Sequence, residues 1–83
     1  MSLPVHTLFF AAYRDILGAS SLDVELRDGA TVGDLVAQLR SRGAPFDALP
    51  VAPAVAVNRV YASLSEPLSS GDEVAFIPPV AGG

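Results

Sequence analysis

Along much of the chain hydrophobic and polar residues alternate, and in one stretch the period lengthens to that of a helix. Leu22, Val24 and Leu26 fall on one parity and Asp23, Glu25 and Arg27 on the other. That pattern predicts a half-buried strand closed by the turn pair Asp28-Gly29. Upstream, PVHTLFFA (Pro4–Ala11) is rich in strand formers, with Val5, Thr7 and Phe9 on one parity and His6, Leu8 and Phe10 on the other. Both faces carry apolar groups, so this strand is either central and covered on both sides or meets another protein on one face. The residues AYRDILG that follow have room for one or two helical turns before Gly18.

The helical period is clearest after Ala30. Val32, Leu35, Val36 and Leu39 make one apolar stripe at helix spacing. Thr31 is a good N-cap, and Asp34 three residues on approximates a capping box, one methylene short of the preferred Glu. Arg40 and Arg42 suit the negative end of a helix and Gly43 offers a stop. The stretch from Ala44 to Pro53 reads as loop, because Pro45, Pro50 and Pro53 limit regular structure.

Ala54–Asn58 reads as a short buried strand, Asn58-Arg59 as a turn and Tyr61 to Leu64 as a short edge segment. Ser70, Gly71 and Asp72 reverse the chain into a last strand, DEVAFI, with Val74 and Phe76 on one face and Glu73, Ala75 and Ile77 on the other. Pro78 and Pro79 carry no N–H, so the strand stops there. The order β-β-α-β-(β)-β predicts an α+β fold of the ubiquitin-like β-grasp kind. A mixed sheet packs on one main helix, the first and last strands lie side by side in its centre, and a diglycine tail projects from it.

Composition narrows the chemistry. At 83 residues the chain makes one small domain, 1–83, with a flexible tail over 78–83. It contains no cysteine, which removes thiolate nucleophiles and Cys-based metal sites, and one histidine, His6, which cannot build a metal site alone. Acidic residues outnumber basic ones nine to five, for a formal net charge of −4, which argues against nucleic acid. All the basic residues are arginine. The apolar start of the chain has no basic leader and is far shorter than the ~20 residues of a membrane span, so a cytoplasmic protein with no membrane partner is expected.

The stretches LFFAAYRDILG, ATVGDLVAQL, AVAVN and above all PLSSGDEVAFIPPVAGG resemble the small, sulfur-carrying subunit of molybdopterin synthase, and the likeness runs essentially end to end. GDEVAFIPPVAGG is the specific part, since it joins a turn, an alternating strand, a double proline and a diglycine in one order. Tyr13 and Ile77 depart from the commoner family residues, and neither touches the tail.

The resemblance implies the chemistry of the tail. An ATP-dependent activating enzyme of the ubiquitin-activating type would adenylate Gly83, beside Gly82, and sulfur delivered there would give a thiocarboxylate. The tail would then enter the large synthase subunit, where sulfur passes to cyclic pyranopterin monophosphate in molybdenum cofactor biosynthesis. Acid–base residues would belong to the large subunit, and this chain, binding no cofactor or metal itself, would supply the nucleophile. Two small subunits would sit at opposite ends of a large-subunit dimer.

Tail composition fits such a role. Two prolines make a stiff stalk, Val80 and Ala81 seat it, and the glycines pass a narrow channel. By strand parity Leu8, Phe10 and Ile77 should lie on the open sheet face with Tyr61. Phe10, Tyr61 and Ile77 match the family's apolar patch for the large subunit, whereas a one-residue slip would send Phe10 into the core. Alternatives are a carrier for thiamine thiazole synthesis, a ubiquitin-like protein modifier, and a binding module with an idle tail.

Overall fold

The first strand is shorter at its far end than alternation alone suggests, and the backbone shows why. In the computed structural model, which describes residues 2–79, β1 spans Ser2–Phe9 and not Pro4–Ala11. Phe10 is still extended but caps the next element, and Ala11 turns the chain with φ 47 into α1 (Ala11–Leu17). That helix ends at Gly18 in the left-handed conformation, φ 71, where a residue without Cβ is favoured. The one or two helical turns expected there are present.

β2 (Ser21–Arg27) returns antiparallel to β1 with Val5 opposite Val24 and Thr7 opposite Leu22. Thr7 is fully buried, an awkward position for a hydroxyl, and its Oγ1 donates to the Leu22 carbonyl. The buried polar group is thereby satisfied. α2 (Val32–Arg40) opens on a complete capping box. The Asp34 N–H donates to Thr31 Oγ1 at 3.3 Å and the Thr31 N–H donates to Asp34 Oδ2 at 2.9 Å. Aspartate therefore reaches far enough to replace glutamate. Val32, Leu35, Val36 and Leu39 are all buried, as their spacing required.

The loop after α2 contains a 3-10 turn, Phe46–Ala48, that the prolines did not reveal. It delivers Leu49 to the core at 1% exposure, and Arg40 Nε donates to the Leu49 carbonyl at 2.8 Å. β3 (Ala54–Val57) ends one residue before the expected Asn58, and β4 (Val60–Ala62) lies a little earlier than Tyr61 to Leu64. The cause is the hairpin turn, in which Asn58 and Arg59 take φ 50 and 73, the doubly left-handed pattern of a two-residue loop.

β5 (Glu73–Ile77) pairs in parallel with β1 and antiparallel with β3, giving the strand order β2-β1-β5-β3-β4. The first and last strands are thus adjacent in the middle of the mixed sheet, as anticipated. The core lies between the sheet and α2, where Val5, Phe9, Val55, Val74 and Phe76 meet the helix stripe. Roughly 25 cal/mol per Å² of apolar surface removed from water favours this face over any slipped register.

Candidate functional site

With Val74 and Phe76 fully buried, parity turns Ala75 and Ile77 to the other side of β5. There they meet Leu8 of β1, Ala56 of β3 and Tyr61 of β4 around a shallow hollow of about 480 Å³. Phe10, Arg59 and Glu73 complete its lining. Three residues singled out from the sequence, Phe10, Tyr61 and Ile77, therefore come together on the open sheet face. Tyr61 is 74% and Phe10 48% exposed, while Ile77 is half-buried. Phe10 arrives there by a different route from the one its strand parity suggested: it is the cap of α1, projecting where β1 has just ended.

An exposed aromatic pair beside small residues is an apolar surface of the kind used for protein contact. Arg59 and Glu73 bring opposite charges to its rim. Sequence reasoning assigned Arg59 no role in the patch. Its signal was the two-residue turn, which fixes where the arginine leaves the sheet.

A second hollow, about 460 Å³ and largely apolar, lies beyond Ile77 between Tyr13, Pro50, Pro53, Pro78 and Pro79. It was not legible in the sequence, because the proline-rich loop gives no register of its own. Burial holds the Tyr13 phenol above its usual pKa, and the residue serves as packing between α1 and this hollow.

The start of β5 is braced. The Asn58 N–H donates to the Glu73 carbonyl at 2.8 Å, and the Glu73 N–H donates to Asn58 Oδ1 at 3.0 Å. Asn58 Nδ2 donates to Asp72 Oδ1 at 2.9 Å, and the Ser69 N–H donates to Asp72 Oδ2 at 2.8 Å. Asp72 is thus occupied with the turn. These bonds set the height at which β5 starts and hence where it leaves the sheet. His6 hydrogen-bonds Asp23 on the exposed side of β1.

Pro78 is half-buried and Pro79 exposed, and neither belongs to a strand. Val80, Ala81, Gly82 and Gly83, which carry the remaining sequence-based assignments of seating and reactivity, lie outside the described residues. Among the described residues no three histidine, aspartate or glutamate side chains gather where they would hold a metal ion.

The ThiS family matches residues 7–83. A molybdopterin synthase sulfur carrier subunit of Mycobacterium tuberculosis is 40% identical over 82 residues, covering 98% of this chain and 99% of its own. One from Chlamydomonas reinhardtii is 36% identical over 83 residues, covering 98% of this chain and all of its own. Small archaeal modifier protein 3 of Haloferax volcanii is 37% identical over 89 residues, covering 90% of this chain and 94% of its own. Among solved structures, a putative molybdopterin converting factor subunit 1 from Pyrococcus furiosus superposes with TM-score 0.80 at 31% identity, covering 95% of this chain and all of that one. A ubiquitin of Caldiarchaeum subterraneum superposes with TM-score 0.67 at 18% identity over the whole of both chains, which shows the ubiquitin-like fold.

Proposed function

Because the chain belongs to the ThiS family, we propose that it is the sulfur carrier subunit of molybdopterin synthase, with the carboxylate of Gly83 as its working group. The observation that carries this reading is near-full-length likeness to two proteins of that name, at 40% and 36% identity. The match reaches residue 83 and so includes the diglycine.

A carboxylate does not give up its oxygen to sulfur unaided. In the proposed sequence an activating enzyme lets a Gly83 carboxylate oxygen attack the α-phosphate of ATP, and pyrophosphate leaves. A persulfide on a donor protein then displaces AMP at the acyl carbon to give an acyl disulfide. A thiol that attacks the donor's sulfur releases the thiocarboxylate and leaves a disulfide behind. Inside the large subunit the thiocarboxylate sulfur bonds to a side-chain carbon of cyclic pyranopterin monophosphate as that carbon's oxygen substituent leaves. Water then hydrolyses the acyl–sulfur bond, which leaves the sulfur on the pterin and returns Gly83 to the carboxylate. Binding energy comes from the open sheet face, with Phe10 and Tyr61 as anchors and Ile77 beside the stalk of Pro78 and Pro79, while Val80 and Ala81 seat the tail in the partner. Small residues at Gly82 and Gly83 allow passage through a narrow channel, and the entropy lost on ordering them is offset by contacts along it.

The test is reconstitution from purified components: the large subunit, the pyranopterin precursor, the activating enzyme, ATP and a sulfur source. The full chain is expected to support molybdopterin formation, and a Gly83-deleted chain is expected to fold normally and support none. Activity with the deleted chain would refute the mechanism. A second reading, protein modification, is favoured by the likeness to the archaeal modifier. It predicts conjugates joined to lysines of other proteins in the same mixture without pterin product, and a thiazole-pathway carrier predicts thiocarboxylate that the large subunit does not consume.

A further inference from the structure

Tyr13 is 6% exposed, yet its hydroxyl has no hydrogen-bond partner among the described residues. No enclosed side-chain oxygen among those residues lacks a partner. The phenol oxygen therefore lies where Tyr13 reaches solvent, at the wall of the second hollow that it lines. Tyrosine hydroxyls on buried rings ordinarily find a hydrogen bond inside the protein. This one is held out to something beyond it. Burial raises its pKa, so the phenol stays protonated and can donate.

The rest of the wall decides what it can donate to. Pro50, Pro53, Ala54, Tyr61, Ile77 and Pro78 surround the hollow, and its lining carries no aspartate, glutamate, arginine or histidine. A charged group would be desolvated there without a counter-charge. Apolar atoms carrying one neutral acceptor fit. The wall is also built in advance: Leu49, beside Pro50, is buried to 1%, and its carbonyl accepts from Arg40 Nε at 2.8 Å.

Two observations say which molecule arrives. Tyr61 and Ile77 line both hollows, so the second is continuous with the face that also holds Phe10. Pro78 and Pro79 line it too, and Gly83 is four residues past Pro79. A fully extended chain spans at most about 3.6 Å per residue, so four reach about 14 Å. A protein that holds the Gly83 carbonyl in its active site must therefore cover this hollow.

We infer that the second hollow receives an apolar segment of the large synthase subunit, one of whose backbone carbonyls accepts a hydrogen bond from the Tyr13 hydroxyl. The identity of the partner rests on the sulfur-carrier reading. Tyr13 is then a binding residue on α1, outside the patch of Phe10, Tyr61 and Ile77, and it fixes how the subunit sits over the root of the tail.

The experiment uses the full chain in four forms: native, Tyr13→Phe, Ala54→Phe and Phe10→Ala. Tyr13→Phe removes the hydroxyl and keeps the ring, while Ala54→Phe fills the hollow from an exposed position of β3. Calorimetric titration with the large subunit is expected to show association weakened about three- to tenfold by Tyr13→Phe. Ala54→Phe should weaken it about tenfold or more. Both variants alone should melt within a few degrees of native, and the Tyr13 Cζ resonance of the native chain should shift on binding. Native affinity in either variant, or an unmoved resonance, would overturn the proposal. So would a loss of affinity in Tyr13→Phe matched by a lowered melting temperature, since the hydroxyl would then act in folding. If Phe10→Ala weakens binding while Tyr13→Phe and Ala54→Phe do not, the carrier reading stands without this inference. A native chain that does not bind the large subunit overturns both.

Discussion

Phe9 and Phe76 stand opposite one another in the parallel β1–β5 register, their ring centroids 5.4 Å apart and their planes tilted by 51°. Both are buried to 1% or less. The pair joins the first strand to the last and anchors β5 two residues before Pro78. Replacing Phe76 by alanine should cost about 3–5 kcal/mol, against a total stability for such domains of roughly 5–15 kcal/mol. Urea titration followed by far-UV circular dichroism is expected to show a large drop in midpoint, with a much smaller one for Phe76→Leu. A midpoint within experimental error of native would contradict the assignment of this pair to the core.

The cap of α2 gives a pH-dependent prediction. The Asp34 carboxyl is held below its usual value of 3.8, chiefly by the hydrogen bond from the Thr31 N–H, helped by the Thr31 hydroxyl and the Arg27 charge and opposed by desolvation. A group whose pKa is lowered by folding stabilises the native state above its unfolded pKa. That contribution is lost as pH falls through the folded value. Native protein should therefore lose stability on acidification below about pH 4 more steeply than Asp34→Asn, which lacks the titration. Thermal melts at pH 7 and pH 3 check this, and parallel slopes for the two proteins would count against the cap. Thr31→Ala should cost about 0.5–2 kcal/mol at neutral pH.

Much of this fold was legible from period alone. The α2 stripe and the parities of β2 and β5 came directly from alternation, because each element buries one face and a slip would expose it. The ends of β1, β3 and β4 were not, because they are set by left-handed residues that are not glycine: Ala11 at φ 47, Asn58 at 50 and Arg59 at 73. Asn58 signalled its turn by residue type, whereas Ala11 has no local reason to adopt that backbone and takes it to lead β1 into α1. The patch of Phe10, Tyr61 and Ile77 followed from parity and resemblance together. The second hollow depends on two proline-bearing segments meeting across the sheet, which no local pattern encodes.

The open sheet face yields a binding prediction with a matched control. Tyr61→Ala and Phe10→Ala remove exposed rings, so each should change folding stability by no more than about 0.5–1 kcal/mol. Each should weaken association with the large synthase subunit by about tenfold or more in calorimetric titration. Ile16, on α1 and 47% exposed, is comparably apolar and lies outside the hollow. Ile16→Ala should leave affinity unchanged. Equal losses for all three variants, or none, would remove the patch from the interface.

The proposed role of the Gly83 carboxylate is the centre of the account. Its most direct test is intact-mass spectrometry of the full chain after incubation with the activating enzyme, ATP and a sulfur donor. The account predicts a gain equal to the exchange of one oxygen for one sulfur, localised by fragmentation to Gly83 and absent when ATP is withheld. An unchanged mass, or a gain localised to any other residue, would contradict it.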